Sequence, residues 1–430
     1  MASGAGRQDE AGELFERSIE LFESEQRSHP AARVSARLPK EIWDRGRLSE
    51  AVERMDRSFK ILSKEEPDSD LATLAAQLGR LLFFSGDAEV AAERIEVALE
   101  IAETQGLPET LSQALITKSI ILISRARRLE ALALLRYALD VALEHEIPSA
   151  ALRAYYNLAD AGIRADAYQE AVDSVTKGLA VARRVGNRYW EWQFLGQVYP
   201  FEALGMWDEV LEMTRALPPI AVEGWRRTRS SGLFRSSTST AATSKLPPRH
   251  GRCSTALRTP RISRSAPRVD TKRPSRPRKR RSRGMMGIGH EAVKDAFVEG
   301  IEAALAVGRL DDAEEMLTTV EELPPGRLPQ YVEAHARRFR SRIAMIGHGA
   351  PPSIEQGLKN AAGMFREMAV PFWMAVTLLE HGEWLIQQDR GAESKPFLDE
   401  AREVFDHLEA APWLARLARA TGDRAEAVSS

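Results

Sequence analysis

Few side chains in this sequence are spaced for chemistry. His290-Glu291 opens an H-E-x-x-H pattern, which on a helix would give one zinc ion two imidazoles and a glutamate base, but its fifth position is Lys294. The eight histidines (29, 145, 250, 290, 335, 348, 381 and 407) include no pair four residues apart, so no helical metal site is expected. Cys253 is the only cysteine, which excludes an intrachain disulfide framework and a multi-cysteine zinc site. A lone thiol with no placed base is a weak nucleophile candidate. No G-x-x-x-x-G-K-[S/T] loop is present to cradle a phosphate. No acid, base, nucleophile and phosphate site can be assembled. The expectation is therefore no catalytic residues, no cofactor and no metal.

Charge is the other chemical feature. The net charge of −2 hides an asymmetry: residues 226–283 hold 19 lysines and arginines against one acid, Asp270. The rest of the chain is therefore strongly acidic. The run from Lys272 to Arg283 could bind phosphates by counterion release. It has no Trp or Tyr to stack on bases, so such binding would be salt-sensitive and poor in sequence preference. Arginine, serine, threonine and proline fill 40 of these 58 positions, and no apolar periodicity survives. Such a segment cannot bury enough surface to offset its chain entropy, and it is expected to be disordered. Three origins are open: a solvated linker, a basic nucleic-acid-binding arm, or translation out of frame. The abrupt loss of pattern near Trp225 and its return near Gly287 favour the third. Resequencing codons 200–300 tests it: another frame that reads as amphipathic helices supports the shift, and an unbroken frame with no repeat in the others sinks it.

Outside that segment the chain repeats. Taking Ala171 as position zero, Ala131, Ala91, Ala51 and Ala11 follow backward at intervals of 40. Position four holds Phe15, Met55, Ile95, Leu135 and Val175; position eight holds Ile19, Phe59, Leu99, Leu139 and Leu179; position eleven holds Phe22, Leu62, Ala102, Ala142 and Ala182. Offsets 0, 4, 8 and 11 make one apolar face of a helix. Five residues before each zero lies Gly6, Gly46, Gly86, Ala126 or Asp166, where a left-handed turn between two helices is expected. Pro39 inside the first helix of the 30–65 unit predicts a kink or a late start. After the basic segment, helix pairs are predicted at 289–307 with 310–322, 329–346 with 353–368, and 371–388 with 391–407. Gly308 to Ala313 and Gly422 to Ala427 repeat the turn spacing.

Within 188–217, Trp192, Leu195, Gly196 and Tyr199 spell W-x-x-L-G-x-x-Y, the first-helix signature of a tetratricopeptide repeat, whose small residue lets two helices approach. The predicted fold is an all-α superhelix of tetratricopeptide-like helix-turn-helix repeats of about 40 residues, interrupted by one disordered basic segment. The boundaries read as an N-terminal repeat array at 1–225, the Arg/Ser/Pro-rich segment at 226–284 and a C-terminal array at 285–430. Residues 6–26 read as a second helix without its first: either a short N-terminal helix caps the stack or, the favoured reading, this is the C-terminal part of something longer. The tryptophans at 43, 190, 192, 373, 384 and 413 are expected to be mostly core. The interruption leaves two apolar stack ends, near 207–217 and 293–305, which either dock across the gap or stay exposed.

These phrases, with GRLSEAVERMDRSF, ALRAYYNLAD, RRVGNRYWEWQFLGQ and PFWMAVTLLEHGEWL, make the chain resemble the C-terminal repeat region of large bacterial signalling proteins that carry a nucleotide-cyclase domain, an ATPase domain, or both. The resemblance covers about 6–225 and 285–427. It implies a non-catalytic module that regulates or recruits, with catalysis in domains this chain lacks; no cyclase-type pair of metal-binding aspartates can be placed. By analogy with such repeats, a peptide or protein partner would lie in a concave groove lined by Arg80, Arg153, Tyr156, Asp160, Trp190, Gln193 and Gln197. The alternative is that these residues make polar contacts within the superhelix. The Lys/Asn pattern that clamps a terminal carboxylate is absent from these positions. The polar N-terminus is no signal peptide, and the longest nearly apolar run, 370–379, is about half of the ~20 residues a spanning helix needs. A soluble cytoplasmic protein is expected. The alternative function is a nucleic-acid-binding regulator using the 226–283 arm.

Overall fold

The computed structural model describes residues 8–25, 28–35, 48–217, 287–324, 326–347 and 351–422. The 226–283 segment, Gly6, Pro39, Trp43, Gly46, Cys253 and Ala427 lie outside them. Among the described residues there is no strand. The helices in the first part are α1 (Gln8–Ser24), α2 (Ser28–Ser35), α3 (Leu48–Leu62), α4 (Ser69–Ser85), α5 (Ala88–Gln105), α6 (Pro108–Ser124), α7 (Arg128–Glu144), α8 (Pro148–Arg164), α9 (Tyr168–Arg184), α10 (Arg188–Leu195), α11 (Tyr199–Ala203) and α12 (Trp207–Ala216). The second part holds α13 (Glu291–Ala306), α14 (Leu310–Glu321), α15 (Gln330–Ile346), α16 (Pro351–Glu367), α17 (Pro371–Gln387), α18 (Gly391–His407) and α19 (Ala411–Thr421). Consecutive helices pack as hairpins: α4 on α5, α6 on α7, α8 on α9, α13 on α14, α15 on α16, and α17 on α18. First helices of neighbouring pairs also touch, as α4 with α6, α6 with α8, and α13 with α15.

The repeat phase accounts for the core. Ala51, Met55, Ala91, Ile95, Ala131, Leu135, Ala171 and Val175 are all buried, as are Leu62, Ala102, Ala142 and Ala182 at position eleven. The turns follow the same register. Gly86 has φ +96°, Ala126 +61° and Asp166 +60°, so the left-handed position recurs even where glycine is missing. Aspartate tolerates that conformation better than most residues; alanine adopts it at a cost that the rest of the hairpin must hold down. These helix pairs, their 40-residue period and their turns define an all-α repeat protein of tetratricopeptide-like hairpins.

Two local expectations need correction. The signature helix at 188–203 is broken: α10 ends at Leu195, and α11 starts at Tyr199 with Pro200 in its first turn. Proline has no N–H to donate back to the carbonyl of Gly196 and disfavours helical geometry at Tyr199. Gly196 is therefore a helix end and not a point of close approach. The close approach is one helix earlier, where a Cβ on Gly178 of α9 would collide with the Phe194 ring. Trp192 is 37% exposed and is not core, whereas Trp384 is buried and Trp190, Trp373 and Trp413 are partly buried.

The two predicted stack ends are not each other's main partners. One hydrophobic cluster instead joins Ile163, Tyr168, Ala171 and Tyr199 to Phe297, Val298, Tyr331 and the helices that follow. Trp207 packs edge-on against Phe372 at 5.5 Å. A Cβ on Gly205 would meet Leu408 at 2.8 Å and Pro371 at 3.0 Å. The hairpin turns at 163–168 and 203–207 thus face the starts of α13, α15 and α17. This edge-to-edge seam bridges the 218–286 interval.

Candidate functional site

The predicted groove residues all sit on or beside first helices. Arg80 is on α4; Arg153, Tyr156 and Asp160 are on α8; Trp190 and Gln193 are on α10; Gln197 follows it. The structure unites most of them, though not in one role. Tyr156 packs edge-on to Trp190 at 5.7 Å and to Phe194 at 6.1 Å, and Trp190 in turn meets Tyr189 at 5.6 Å. Burial, then the nearby Asp160 charge, pushes the Tyr156 hydroxyl up to about 12, while a hydrogen bond with the Gln197 side chain draws it back down. The phenol is therefore neutral across the physiological range. Gln197 Oε1 is buried and accepts no hydrogen bond among the described residues. Tyr189 is 46% exposed, so the aromatic cluster has an open edge.

Arg153 departs from expectation. It is buried, and it ties α8 to the preceding first helix α6. Its Nη1 donates to the Gln113 carbonyl at 3.1 Å and to Gln113 Oε1 at 2.6 Å, and its Nη2 donates to Thr117 Oγ1 at 2.8 Å. First helices approach so closely that this guanidinium is captured before it reaches solvent. Burial, followed by the like charge of Arg80, holds its pKa well below the ordinary arginine value. Asp160 is likewise occupied, by Arg164 Nε at 2.7 Å. Arg153 and Asp160 thus follow the structural alternative, leaving Arg80, Tyr156, Trp190, Gln193 and Gln197 as candidates. Gln193 is half-buried beside them.

A second polar network was absent from the sequence-derived candidates. Arg338 of α15 is almost wholly buried and clamps Glu380 of α17 through Nε at 2.7 Å and Nη2 at 2.6 Å. Its Nη2 also reaches Glu302 of α13 at 2.8 Å, and Arg342 completes the bridge to Glu302 at 2.6 Å. Burial opposes the Arg338 charge, but Glu380 and then Glu302 outweigh it and raise its pKa. The guanidinium also lies 5.1 Å from the Trp373 ring. Nothing in the local sequence marks Arg338, since its partners lie about 40 residues away on either side.

The third cluster lies at the seam. Lys294 is fully buried and pairs with Asp166, whose other oxygen accepts the Tyr331 N–H at 3.1 Å. Lys294 Nζ also donates to the Ile163 carbonyl at 2.6 Å, and Tyr168 donates its hydroxyl proton to Asp166 at 3.0 Å. Burial lowers the lysine pKa and Asp166 partly restores it; burial raises Tyr168, Tyr199 and Tyr331 well above the usual phenol value. Lys294, which spoils the zinc-protease pattern, is thus the cation that fastens the seam. His290 caps α13, its Nδ1 accepting the Ala292 N–H at 3.2 Å. Among the described residues no group of three His, Cys, Asp or Glu could hold a metal ion. No described helix is long and apolar enough to cross a membrane.

No family model matches this chain. No curated protein matches it. Among solved structures it is similar to aspartyl phosphate phosphatase F from Bacillus subtilis, at 13% identity and a TM-score of 0.40 over 49% of this chain. The match spans 57% of that protein's length. It is also similar to BtubC from P. vanneervenii, at 17% identity and a TM-score of 0.37, covering 60% of this chain and 99% of that one. A signal transduction ATPase with a tetratricopeptide repeat sensor, from Pyrococcus horikoshii, matches at 12% identity and a TM-score of 0.37, covering 90% of this chain and 50% of that one.

Proposed function

We propose that this chain is a non-catalytic interaction module that binds a peptide or protein segment along the first-helix face around α8 and α10. One observation carries the reading: the Tyr156–Trp190–Tyr189 ring cluster has an exposed edge at Tyr189 and stands beside the Gln197 side-chain amide. Tyrosine and tryptophan give a partner apolar area at little entropic cost, and side-chain amides read its main chain. First helices of neighbouring pairs touch, and in stacked helical repeats a face shared by such helices commonly serves as the binding surface. Peptides selected for binding from a random displayed library, then measured by calorimetry, test this. The W190A and Q197A variants should each weaken the selected peptides at least tenfold; undiminished binding in both overturns the reading.

We further propose, from the sequence resemblance, that the module serves a larger or split signalling protein of the cyclase or ATPase type and works in the cytoplasm. An adjacent upstream reading frame encoding such a domain would support this, and an unrelated neighbour would count against it. The competing nucleic-acid reading rests on the basic charge of 226–283 alone. It requires binding that weakens steeply with salt and vanishes when that segment is deleted.

A further inference from the structure

The geometry points to a second binding site, for a small organic anion, in the seam between the two parts of the chain. A cavity of about 440 Å³ opens where the 123–128 turn and Arg164 face residues 287–289, Leu323, Pro324, Arg327 and Pro329. That volume suits a small ligand. Arg128, Arg164 and Arg327 line it and no acidic residue does. Ile123, Ile288, Leu323 and Pro329 supply apolar wall.

The three guanidiniums are under-used. Arg128 reaches the carbonyls of Arg164 and Gly326, both at a long 3.4 Å, and makes no ion pair among the described residues. Arg164 spends Nε on Asp160, and its two terminal amino groups make no hydrogen bond among the described residues. Arg327 is exposed, and its side chain makes none either. Arginine stays charged at any physiological pH, so these cations cannot relax by losing protons. Planar guanidiniums match the paired oxygens of phosphate and carboxylate. An apolar body ending in one of these groups would satisfy both halves of the lining. Because Arg128 and Arg164 come from one part of the chain and Arg327 from the other, the bound anion would also tie the seam shut. This site is separate from the peptide face, and neither proposal depends on the other.

Calorimetry on the full chain with phenyl phosphate, benzoate and inorganic phosphate tests the assignment. Phenyl phosphate or benzoate should bind saturably, with Kd at or below about 1 mM. Inorganic phosphate, lacking the apolar body, should bind about tenfold more weakly. The single variant R327A alters an exposed loop side chain and should cut affinity about tenfold without changing far-UV circular dichroism. The double variant R128A/R327A should abolish binding. Absence of saturable binding by either organic anion overturns the site, as does wild-type affinity in R327A and in the double variant. Equal affinity for inorganic phosphate overturns the organic-anion class.

Discussion

Two buried arginines, one in each part of the chain, are handled in opposite ways. Arg338 is enclosed by Glu380 and Glu302, and its charge is neutralised where it sits. Arg153 is enclosed by a backbone carbonyl, an amide oxygen and a hydroxyl, none of which carries charge. The carboxylates raise the first pKa, and burial beside Arg80 lowers the second. An ion clamp of the first kind balances charge, although Arg338 Nη1 is buried without a partner among the described residues; it joins α13, α15 and α17. The second stitches α6 to α8 with no counter-charge beside it. Removing one side chain should therefore have very different consequences in the two places.

The largest effect is expected at the charge-balanced clamp. E380A leaves buried Arg338 with only the half-buried Glu302, and R338M leaves buried Glu380 with only Arg342, 3.6 Å away. Each should lower stability by about 3–5 kcal/mol in urea unfolding. The double variant R338M/E380L removes both charges and should return close to wild type; failure to recover would mean that the clamp's geometry, and not charge balance, holds these helices. Next comes the seam. D166N keeps a side chain that tolerates φ +60° but leaves Lys294 buried without its anion. It should cost about 3 kcal/mol and split one unfolding transition into two. A single transition with an unshifted midpoint would show that the hydrophobic contacts alone join the two parts.

R153M draws the comparison most sharply. It leaves only neutral oxygens unpaired, so the cost should be about 1–2 kcal/mol, clearly less than for R338M. Equal losses for the two variants would erase the distinction between them. The smallest effect at neutral pH comes from two buried histidines. His381 is held down to about 4 by burial, and His335 well below 6.5 by burial and then Arg338. In the unfolded chain both take up a proton near pH 6.5. Between there and pH 4 the unfolded state therefore binds more protons, and stability should fall as pH falls. Both rings are buried, so by pH 5 the loss is on the order of 2 kcal/mol for His381 alone, and His335 adds to it in the same direction. Neither ring nitrogen of His335 has a hydrogen-bond partner among the described residues, and the ring lies 4.8 Å from Phe365 and 4.7 Å from Trp373. H335F should therefore flatten part of this pH dependence without lowering stability at pH 7. A steeper pH profile in H335F would contradict the assignment.

The helices, their 40-residue period and their left-handed turns were legible from residue types alone. Each repeat carries its own local rule: Ala91 and Ile95 on one helix face, Gly86 five residues ahead. Such rules act within one hairpin, and spacing along the chain is enough to read them. The break at Gly196 is also locally encoded, in Pro200, although the W-x-x-L-G-x-x-Y spacing points to one continuous helix. The ion clamp and the seam were not legible. Arg338, Glu302 and Glu380 read as ordinary charged helix residues, because burial depends on neighbours about 40 positions distant. Asp166 read as a turn residue and Lys294 as the position that spoils a zinc motif; their pairing spans 128 residues. The groove candidates fell between these limits. Counting along the repeat places them on or beside α4, α8 and α10, but that Arg153 is held by a neighbouring helix is decided by how closely α6 and α8 pack. Local sequence sets backbone geometry and apolar phase through short-range sterics and burial. Which charges end up paired, stranded or open to a ligand is decided by distances between elements, and only the folded chain sets those.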